Sequence, residues 1–255
     1  MSATGFSRAV HAAPRSKLAV RIASRPREIK AALRLVYQAY RRCGLIEPNP
    51  FAMRATPYHL LETTEVFVGI LGGKVTCTLS LVRDGELGLP MESIYGEEVA
   101  WRRAQGASVA EVSCLADRRH NLVRSLSVLV QVMGLMAQSA RRRGVDELLI
   151  AVHPRHAEFY ERFIGFEIIG AEREYERVCN KPAVALALDL NRLAVIHPRA
   201  YKRFFGLPFP EEELEYRPIS DEFRAELSMM VDATYVAEPY SDDSSYLSEA
   251  HQMCA

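Results

Sequence analysis

The apolar and polar residues of the chain repeat with two different periods. Alternating or short continuous apolar stretches rich in branched side chains predict strands, and apolar residues three or four apart predict helices. The predicted strands are residues 18–24, 66–71, 74–82, 110–116, 146–153, 166–171 and 183–190. The predicted helices are residues 27–44, 97–104, 122–143, 155–165 and 221–235. This order predicts an α/β (α+β) fold with a mixed sheet and helices on both faces.

A Pro-rich stretch at residues 196–213 divides the chain into two parts. We expect a disordered N-terminus at residues 1–17, a folded domain at residues 18–195 and a C-terminal extension at residues 196–255. The extension carries one amphipathic helix and an acidic tail that we expect to be disordered. Residues 219–235 either pack on the core or form the contact of a homodimer, and the sequence leaves both open.

The composition argues against several classes of protein. Lysine plus arginine and aspartate plus glutamate both number 32, so the net charge indicates neither a nucleic-acid partner nor an anionic membrane surface. No stretch is apolar for long enough to span a bilayer. The five cysteines include no C-x-x-C pair, which argues against a disulfide framework and a structural zinc site. These features favour a cytoplasmic protein with no integral membrane segment and no bound metal.

Residues 110–126, AEVSCLADRRHNLVRSL, pass from a predicted strand to a predicted helix. Such junctions often bind phosphate, and they usually contain glycine because a Cβ atom would obstruct the approach of the backbone to the phosphate. The junction at residues 117–121 contains arginine and no glycine. Arginines here favour an acidic partner surface, and a solvated basic face is the alternative.

Residues 153–170, HPRHAEFYERFIGFEIIG, contain the most specific local pattern: a strand end, a short aromatic helix and a Gly-Phe turn into another strand. Aromatic residues at helical spacing are often only core residues. The pattern resembles the GNAT acyltransferase fold, whose element order matches about residues 18–190. The resemblance implies that two central parallel strands, 110–116 and 147–153, splay apart to receive an acyl thioester and that Tyr160 lies beside its sulfur.

A second resemblance covers nearly the same part of the chain. The segments TPYHLLETTEVFV, VTCTLSLVRDGELGLPMESIY, AEVSCLA and IAVHPRHAEFY together resemble the long-chain N-acyl amino acid synthases, relatives of the acyl-homoserine-lactone autoinducer synthases. This resemblance implies transfer of a long-chain fatty acyl group from acyl carrier protein to the amine of an amino acid. It implies no permanently bound cofactor, since the donor is an acyl-4'-phosphopantetheine arm on the carrier protein.

The GNAT fold usually holds the pyrophosphate of coenzyme A in a loop with the pattern Q/R-x-x-G-x-G/A, and this chain lacks both glycines there. We therefore expect acyl carrier protein as the partner. The residues expected to contact the carrier protein and its arm are Arg118, Arg119, Arg124 and His156. Two alternatives stay open: an acyl-coenzyme A-dependent N-acyltransferase acting on another amine, and a non-catalytic acyl-binding or regulatory module.

Thioester aminolysis needs a group that accepts the proton of the amine and donors that stabilise the oxyanion. Strand alternation places Glu111 and Ser113 on one face of their strand and Cys114 on the other. The resemblance assigns proton abstraction to Glu111, and a glutamate that only binds loop amides or an arginine is the alternative. Ser113 either orients the substrate or caps the strand. Cys114 is expected to be a buried packing residue and not a covalent acyl carrier.

An amino acid acceptor brings a carboxylate, which arginine binds well in bidentate geometry. Arg54, in a turn-rich segment, is the first candidate and Arg83 the second, with a surface ion pair as the alternative for each. Asp84 is either a turn residue or a substrate-binding residue. His153 ends the second splayed strand, where it either begins the next helix or joins Tyr160 in binding substrate.

Overall fold

The structure, a computed structural model, describes residues 18–118 and 122–233 together with Tyr235 and Ala237, and it gives only the backbone for residues 122–126. The predicted disordered N-terminus and acidic tail lie outside the described residues.

The strands are β1 (Leu18–Ile22), β2 (Thr64–Leu71), β3 (Lys74–Arg83), β4 (Val109–Asp117), β5 (Glu147–Val152), β6 (Glu167–Tyr175) and β7 (Lys181–Asp189). They form one sheet in the order β1–β2–β3–β4–β5–β7–β6. Strands β4 and β5 are parallel, and all other neighbouring strands are antiparallel. The predicted mixed sheet is confirmed, and each predicted strand overlaps an observed one.

The helices are α1 (Pro26–Arg42), α2 (Glu92–Ala104), α3 (Leu122–Arg142), α4 (Ala157–Phe159), α5 (Leu193–Ile196), α6 (Pro198–Phe205) and α7 (Asp221–Ser228). A 3-10 turn spans Pro57–Leu60, and a π-helical turn, Tyr160–Ile164, continues α4. Because strand side chains alternate, Val66 and Val68 of β2 pack toward α1 while Phe67 packs toward α3. Helices therefore cover both faces of the sheet, as predicted.

The two central parallel strands separate after three residues. Val109–Glu111 of β4 pair with Glu147–Leu149 of β5, and the described ladder ends there. A β-bulge on the other side of β4 bends the strand further: Ser113 pairs with Ser80 and Ala116 with Thr78, so two β4 residues lie opposite one residue of β3. The predicted splay of the central strands is confirmed.

The bulge changes which β4 side chains share a face. Cys114 takes a left-handed φ of 55° and packs with Ala116 against α1, on the face to which Glu111 also points, while Leu115 packs toward α3. The predicted placement of Cys114 on the opposite face from Glu111 is therefore wrong, because simple alternation assumes an uninterrupted strand. Its burial is as expected.

The described part of the C-terminal extension, residues 196–233, packs on the core of its own chain and contains the helices α6 and α7, where one helix was predicted. Phe223 and Leu227 of α7 are buried against α1. The predicted helix over residues 221–235 is too long. Helix α7 ends at Ser228, and Val231 then pairs with Ala55 beside the 3-10 turn. Across the described ranges, no helix combines the length and hydrophobicity that a bilayer span requires.

The close packing of α2 on strands β6 and β7 requires a glycine at Gly170. A Cβ atom at Gly170 would lie 2.8 Å from two ring carbons of Tyr95 and 3.1 Å from the Cβ of Ala185. Tyr95 is fully buried and its hydroxyl lies within hydrogen-bond distance of two backbone carbonyls, so its ring has little room to move. We expect Gly170→Ala to lower the free energy of unfolding by about 1–3 kcal/mol.

Urea unfolding measures this change, with Gly96→Ala as the matched control. Gly96 lies in α2 with nothing within 4 Å of the added Cβ atom, so alanine there should be neutral or stabilising. Equal midpoints for Gly170→Ala and the wild type would contradict the close contact.

Candidate active site

A cavity of about 430 Å³ opens where β4 and β5 separate. Ligand pockets commonly have volumes of about 300–1,000 Å³. The cavity passes through the gap in the sheet and has two chemically different ends. Polar lining residues on the side of α1 and α2 are Arg54, His59, Ser80, Glu111, Ser113 and Arg177. Apolar lining residues on the side of α3 are Met133, Met136, Ala137, Leu148, Ile150, Ile164, Phe166, Leu188 and Phe204.

Glu111 is the last residue of β4 that pairs with β5, and it lies at the junction of the two ends of the cavity. Its side chain is 3% exposed, and its Oε2 accepts a hydrogen bond of 2.6 Å from the backbone N–H of Met91. Burial raises the pKa of Glu111 from 4.5 to about 8, against the smaller opposing effects of the Met91 hydrogen bond and the positive charge of Arg177. A carboxyl group with this pKa can accept and release a proton near neutral pH.

The turn that carries Met91 is held from several directions. The Pro90 carbonyl accepts hydrogen bonds from the Tyr175 hydroxyl and from Nη1 of Arg177, each of 3.0 Å. Glu92 accepts a hydrogen bond from the Leu89 backbone N–H. Arg103 in turn pairs with Glu92 at 2.6 Å and with Asp84 at 2.6 and 2.7 Å. These contacts fix the backbone that faces Glu111.

Arg54 projects into the polar end of the cavity from the loop before the 3-10 turn. It is 6% exposed, and its Nη1 pairs with Asp232 at 3.2 Å while its Nη2 donates to the Arg177 carbonyl at 3.0 Å. The ring of Tyr235 lies beside both guanidinium groups, with centroid distances of 5.0 Å to Arg54 and 4.5 Å to Arg177. The C-terminal extension therefore forms one wall of the polar end.

His59, in the 3-10 turn Pro57–Leu60, is a buried, neutral residue that also lines the polar end. Its Nδ1 accepts a hydrogen bond of 3.1 Å from the Thr56 backbone N–H, so Nε2 carries the proton and donates to Ser80 at 3.3 Å. Burial and the charge of Arg54 lower the pKa of His59 to about 4. The imidazole therefore stays uncharged at neutral pH and positions the loop that carries Arg54.

The residues after β5 line the opposite side of the cavity. His153 accepts a hydrogen bond from the Arg155 backbone N–H, and His156 lies beside the Arg155 side chain at 3.1 Å. Tyr160 packs edge-on against Phe166 with centroids 5.7 Å apart, and burial raises the pKa of its hydroxyl to about 12. Tyr160 is therefore protonated at neutral pH and can donate a hydrogen bond.

The structure brings some of the predicted site residues together and leaves others apart. Glu111, Ser113, Arg54, Tyr160, His153 and His156 all line the cavity. Arg83 and Asp84 do not: Arg83 donates to the Glu62 carbonyl at the surface, and Asp84 is occupied by Arg103. Arg118 is exposed at the end of β4 and does not line the cavity. Arg119 and the side chain of Arg124 lie outside the described residues.

Several site residues were not predicted from the sequence. Arg177 and Tyr175 follow no motif, and Asp232 and Tyr235 belong to the extension whose helix was predicted to continue through them. His59 lies inside the quoted segment TPYHLLETTEVFV, which is the one signal that pointed toward it. Within the described residues, no group of three or more His, Cys, Asp or Glu side chains is arranged to hold a metal ion.

The arrangement suits a reaction between a bound apolar chain and a small polar molecule. The apolar end can bury a hydrocarbon, the polar end carries the positive charges of two guanidinium groups, and Glu111 can take a proton where the two ends meet. Backbone groups of β4 beyond Glu111 no longer pair with β5 and are available to a carbonyl group placed in the gap.

Comparisons with known proteins give one family match and several structural matches. The sequence profile of a family described as N-acyl amino acid synthase FeeM matches residues 31–189. The structure of FeeM, an N-acyl amino acid synthase from uncultured soil microbes, aligns with a TM-score of 0.63 and 29% identity, covering 71% of this chain and 94% of FeeM. No curated protein sequence matches the chain.

Two more distant structures share the fold. The AHL synthase LasI aligns with a TM-score of 0.58 and 16% identity over 76% of this chain and 98% of LasI. The CoA-dependent acyl-homoserine lactone synthase BjaI, in complex with SAM and isopentyl-CoA, aligns with a TM-score of 0.53 and 16% identity over 83% of this chain and 100% of BjaI.

The buried carboxyl group of Glu111 makes the stability of the protein depend on pH. Its pKa is about 8 in the folded chain and near 4.5 when unfolded, so the folded protein holds the extra proton between these values and loses stability as pH rises through them. Glu111→Gln removes this dependence and keeps an acceptor for the Met91 N–H. The difference in unfolding free energy between variant and wild type should grow by up to about 1.4 kcal/mol per pH unit.

Chemical denaturation between pH 5 and pH 9 tests this expectation. Glu158→Gln, at an exposed glutamate, controls for the loss of one carboxyl group. The same slope in both variants would contradict a buried proton on Glu111.

Proposed function

The chain belongs to the N-acyl amino acid synthase family, and from this premise we propose that it transfers a long-chain fatty acyl group from acyl carrier protein to the amine of an amino acid. The family and the fold make the protein an acyltransferase. The donor, the length of the acyl chain and the roles of individual residues are our proposal. The observation that carries it is the buried Glu111 carboxyl group at the point where the apolar and polar ends of the cavity meet.

In the proposed reaction Glu111 is the base. In its ionised form it accepts the proton that the amine loses as the nitrogen attacks the thioester carbonyl. A C–N bond forms, and the tetrahedral intermediate collapses with cleavage of the C–S bond. Tyr160, protonated at neutral pH, donates a hydrogen bond to the leaving sulfur, and the thiolate is protonated from solvent. The β4 backbone beyond Glu111 supplies donors for the oxyanion.

Cys114 forms no acyl intermediate, because burial raises the pKa of its thiol and keeps the thiol neutral.

The apolar end supports a long acyl chain. Met133, Met136 and Ala137 of α3 line it together with residues of β5 and α6. Methionine side chains adapt to irregular hydrocarbon surfaces, so this end suits a flexible alkyl chain better than a rigid ring system.

The polar end supports an acceptor that carries both an amine and a carboxylate. Glu111 receives the amine, and Arg54 binds the carboxylate in competition with Asp232, its partner in the structure. An amino acid placed between Glu111 and Arg54 has its neutral amine at the base and its carboxylate at a positive charge.

The junction after β4 supports acyl carrier protein as the donor. Residues 117–121 contain no glycine that would let the backbone approach a pyrophosphate. A carrier protein presents one phosphodiester and an acidic surface, which Arg118, Arg119, Arg124 and His156 are suited to meet. One structural relative is a CoA-dependent synthase, so the choice of donor needs a direct test. The proposal places the protein in the cytoplasm.

The central experiment incubates the purified chain with palmitoyl-acyl carrier protein or palmitoyl-coenzyme A at equal concentration, together with the proteinogenic amino acids, and detects N-acyl amino acids by mass spectrometry. We expect the carrier-protein thioester to react about tenfold faster or more, and Glu111→Gln to lower kcat about 100-fold. A faster reaction with the coenzyme A thioester would assign that donor instead. No product from either thioester would contradict the proposed function.

A second experiment tests the acceptor site. Replacing Arg54 with glutamine should raise KM for the amino acid about tenfold or more, because a hydrogen bond to a charged group contributes about 1.5–3 kcal/mol. The KM for the acyl donor should stay close to that of the wild type. Steady-state kinetics with each substrate varied in turn measures both values.

Two further variants complete this test. Arg83→Gln, an arginine outside the cavity, is the matched control. The double variant Arg54→Gln/Asp232→Asn also removes the negative charge of Asp232, which in the single variant would lose its Arg54 partner. An acceptor KM that stays within about twofold of the wild type in both Arg54 variants would remove Arg54 from the acceptor site.

A further inference from the structure

One peptide bond, between Pro90 and Met91, connects two parts of the site. Its N–H donates to Glu111 at 2.6 Å, and its carbonyl accepts from Tyr175 and from Arg177 at 3.0 Å each. The bond is trans, so its N–H and C=O groups point in opposite directions. Arg177 and Tyr175 therefore approach one side of the peptide and Glu111 the other.

Hydrogen bonds in such a chain strengthen one another in a low-dielectric interior. Two donors on the Pro90 carbonyl, one of them charged, withdraw electron density from the peptide and make the Met91 N–H a stronger donor. They also fix the plane of the peptide, so that the N–H stays directed at Glu111. Both effects favour the ionised carboxylate over the neutral acid and oppose the burial that favours the acid.

The other groups around Glu111 cannot supply this stabilisation. Arg177 and Glu92 are the charged groups that act on it, and Glu92 acts in the opposite sense. Arg54, at the same end of the cavity, pairs with Asp232. The other titratable groups near Glu111 are Tyr40, Tyr58, Tyr175, Tyr235 and Cys114. Burial raises the pKa of each of these, so they are neutral where Glu111 titrates.

We infer that Arg177, assisted by Tyr175, is a positioning residue that holds the Pro90–Met91 peptide so that the Met91 N–H stabilises the basic form of Glu111. The inference rests on the proposed role of Glu111 as the base. The inference gives the two guanidinium groups of the cavity different roles. Nη1 of Arg177 is shared between the Pro90 carbonyl and the Tyr235 hydroxyl at 3.0 Å, whereas Arg54 faces a carboxylate. Arg177 therefore serves the base and Arg54 the acceptor.

The inference can be tested without any substrate. In protein labelled with 13C at the glutamate carboxyl groups, NMR titration gives the pKa of Glu111, and Glu111→Gln identifies its resonance. We expect Arg177→Gln to raise this pKa by about one pH unit. Tyr175→Phe changes no charge and removes only a hydroxyl from the Pro90 carbonyl, so it should raise the pKa by a smaller amount, about 0.3 pH unit.

Arg173→Gln is the matched control, because Arg173 lies on β6 near Tyr175, donates to the Ile94 carbonyl and to Glu98 and not to Pro90, and stacks on Tyr95. Arg173→Gln should leave the pKa of Glu111 unchanged. A shift with Arg177→Gln but none with Tyr175→Phe would overturn the route through the peptide, and so would an equal shift with Arg173→Gln. If Arg177→Gln does not fold, Tyr175→Phe alone decides, since the absence of a shift in that variant overturns the inference.

Kinetics then separates this inference from the proposed function. The acid limb of the pH profile of kcat/KM should move with the Glu111 pKa in each variant, and Arg177→Gln should lower kcat near neutral pH with little change in the acceptor KM. NMR shifts without any acyl transfer would refute the proposed function and leave the coupling standing. Acyl transfer by variants whose Glu111 titration is unmoved would refute the coupling alone.

Discussion

The early end of the β4–β5 ladder is the constraint on which the rest of the site depends. Two parallel strands in the centre of a sheet would normally continue to pair, and their side chains would fill the space between the helices. Here the pairing ends at Glu111, and the bulge at Cys114 directs the remainder of β4 away from β5. The gap joins the two faces of the sheet, so a single cavity reaches both the buried apolar layer under α3 and the charged layer beside α1.

The polar end shows how a buried carboxyl group is accommodated. Glu111 is removed from water, which favours its neutral form, and a backbone amide and a nearby guanidinium group oppose this effect. The amide belongs to Met91, and the turn that carries it is held in place by ion pairs of Arg103 with Glu92 and Asp84. Asp84, considered from the sequence as a substrate-binding residue, belongs to this support.

The sequence predicted the parts of the protein that depend on local periodicity. The seven strands of the described residues and the long helices follow from apolar spacing, because each element must bury one face. Predictions failed where a distant contact decides the structure: α7 ends early because Val231 pairs with Ala55, and Cys114 changes face because of the bulge. Glu111 was singled out because its strand carries the resemblance, whereas Arg177 reaches the site from a short 3-10 turn, Glu176–Val178, that has no sequence pattern of its own. Arg54, a candidate from the sequence, lines the cavity, but its partner Asp232 lies 178 residues away and no spacing rule connects them.

The contact between Arg54 and Asp232 also has a consequence for biosynthesis. A polypeptide emerges from the ribosome with its N-terminal part first, so the whole sheet and Glu111 are synthesised before the segment that carries Asp232 and Tyr235. Until that segment emerges, Arg54 lacks the carboxylate that it faces in the folded protein, and the wall at the polar end is open. The acyltransferase fold is thus available to assemble first, and the polar end of the cavity acquires its final charge balance only after Asp232 and Tyr235 have been synthesised.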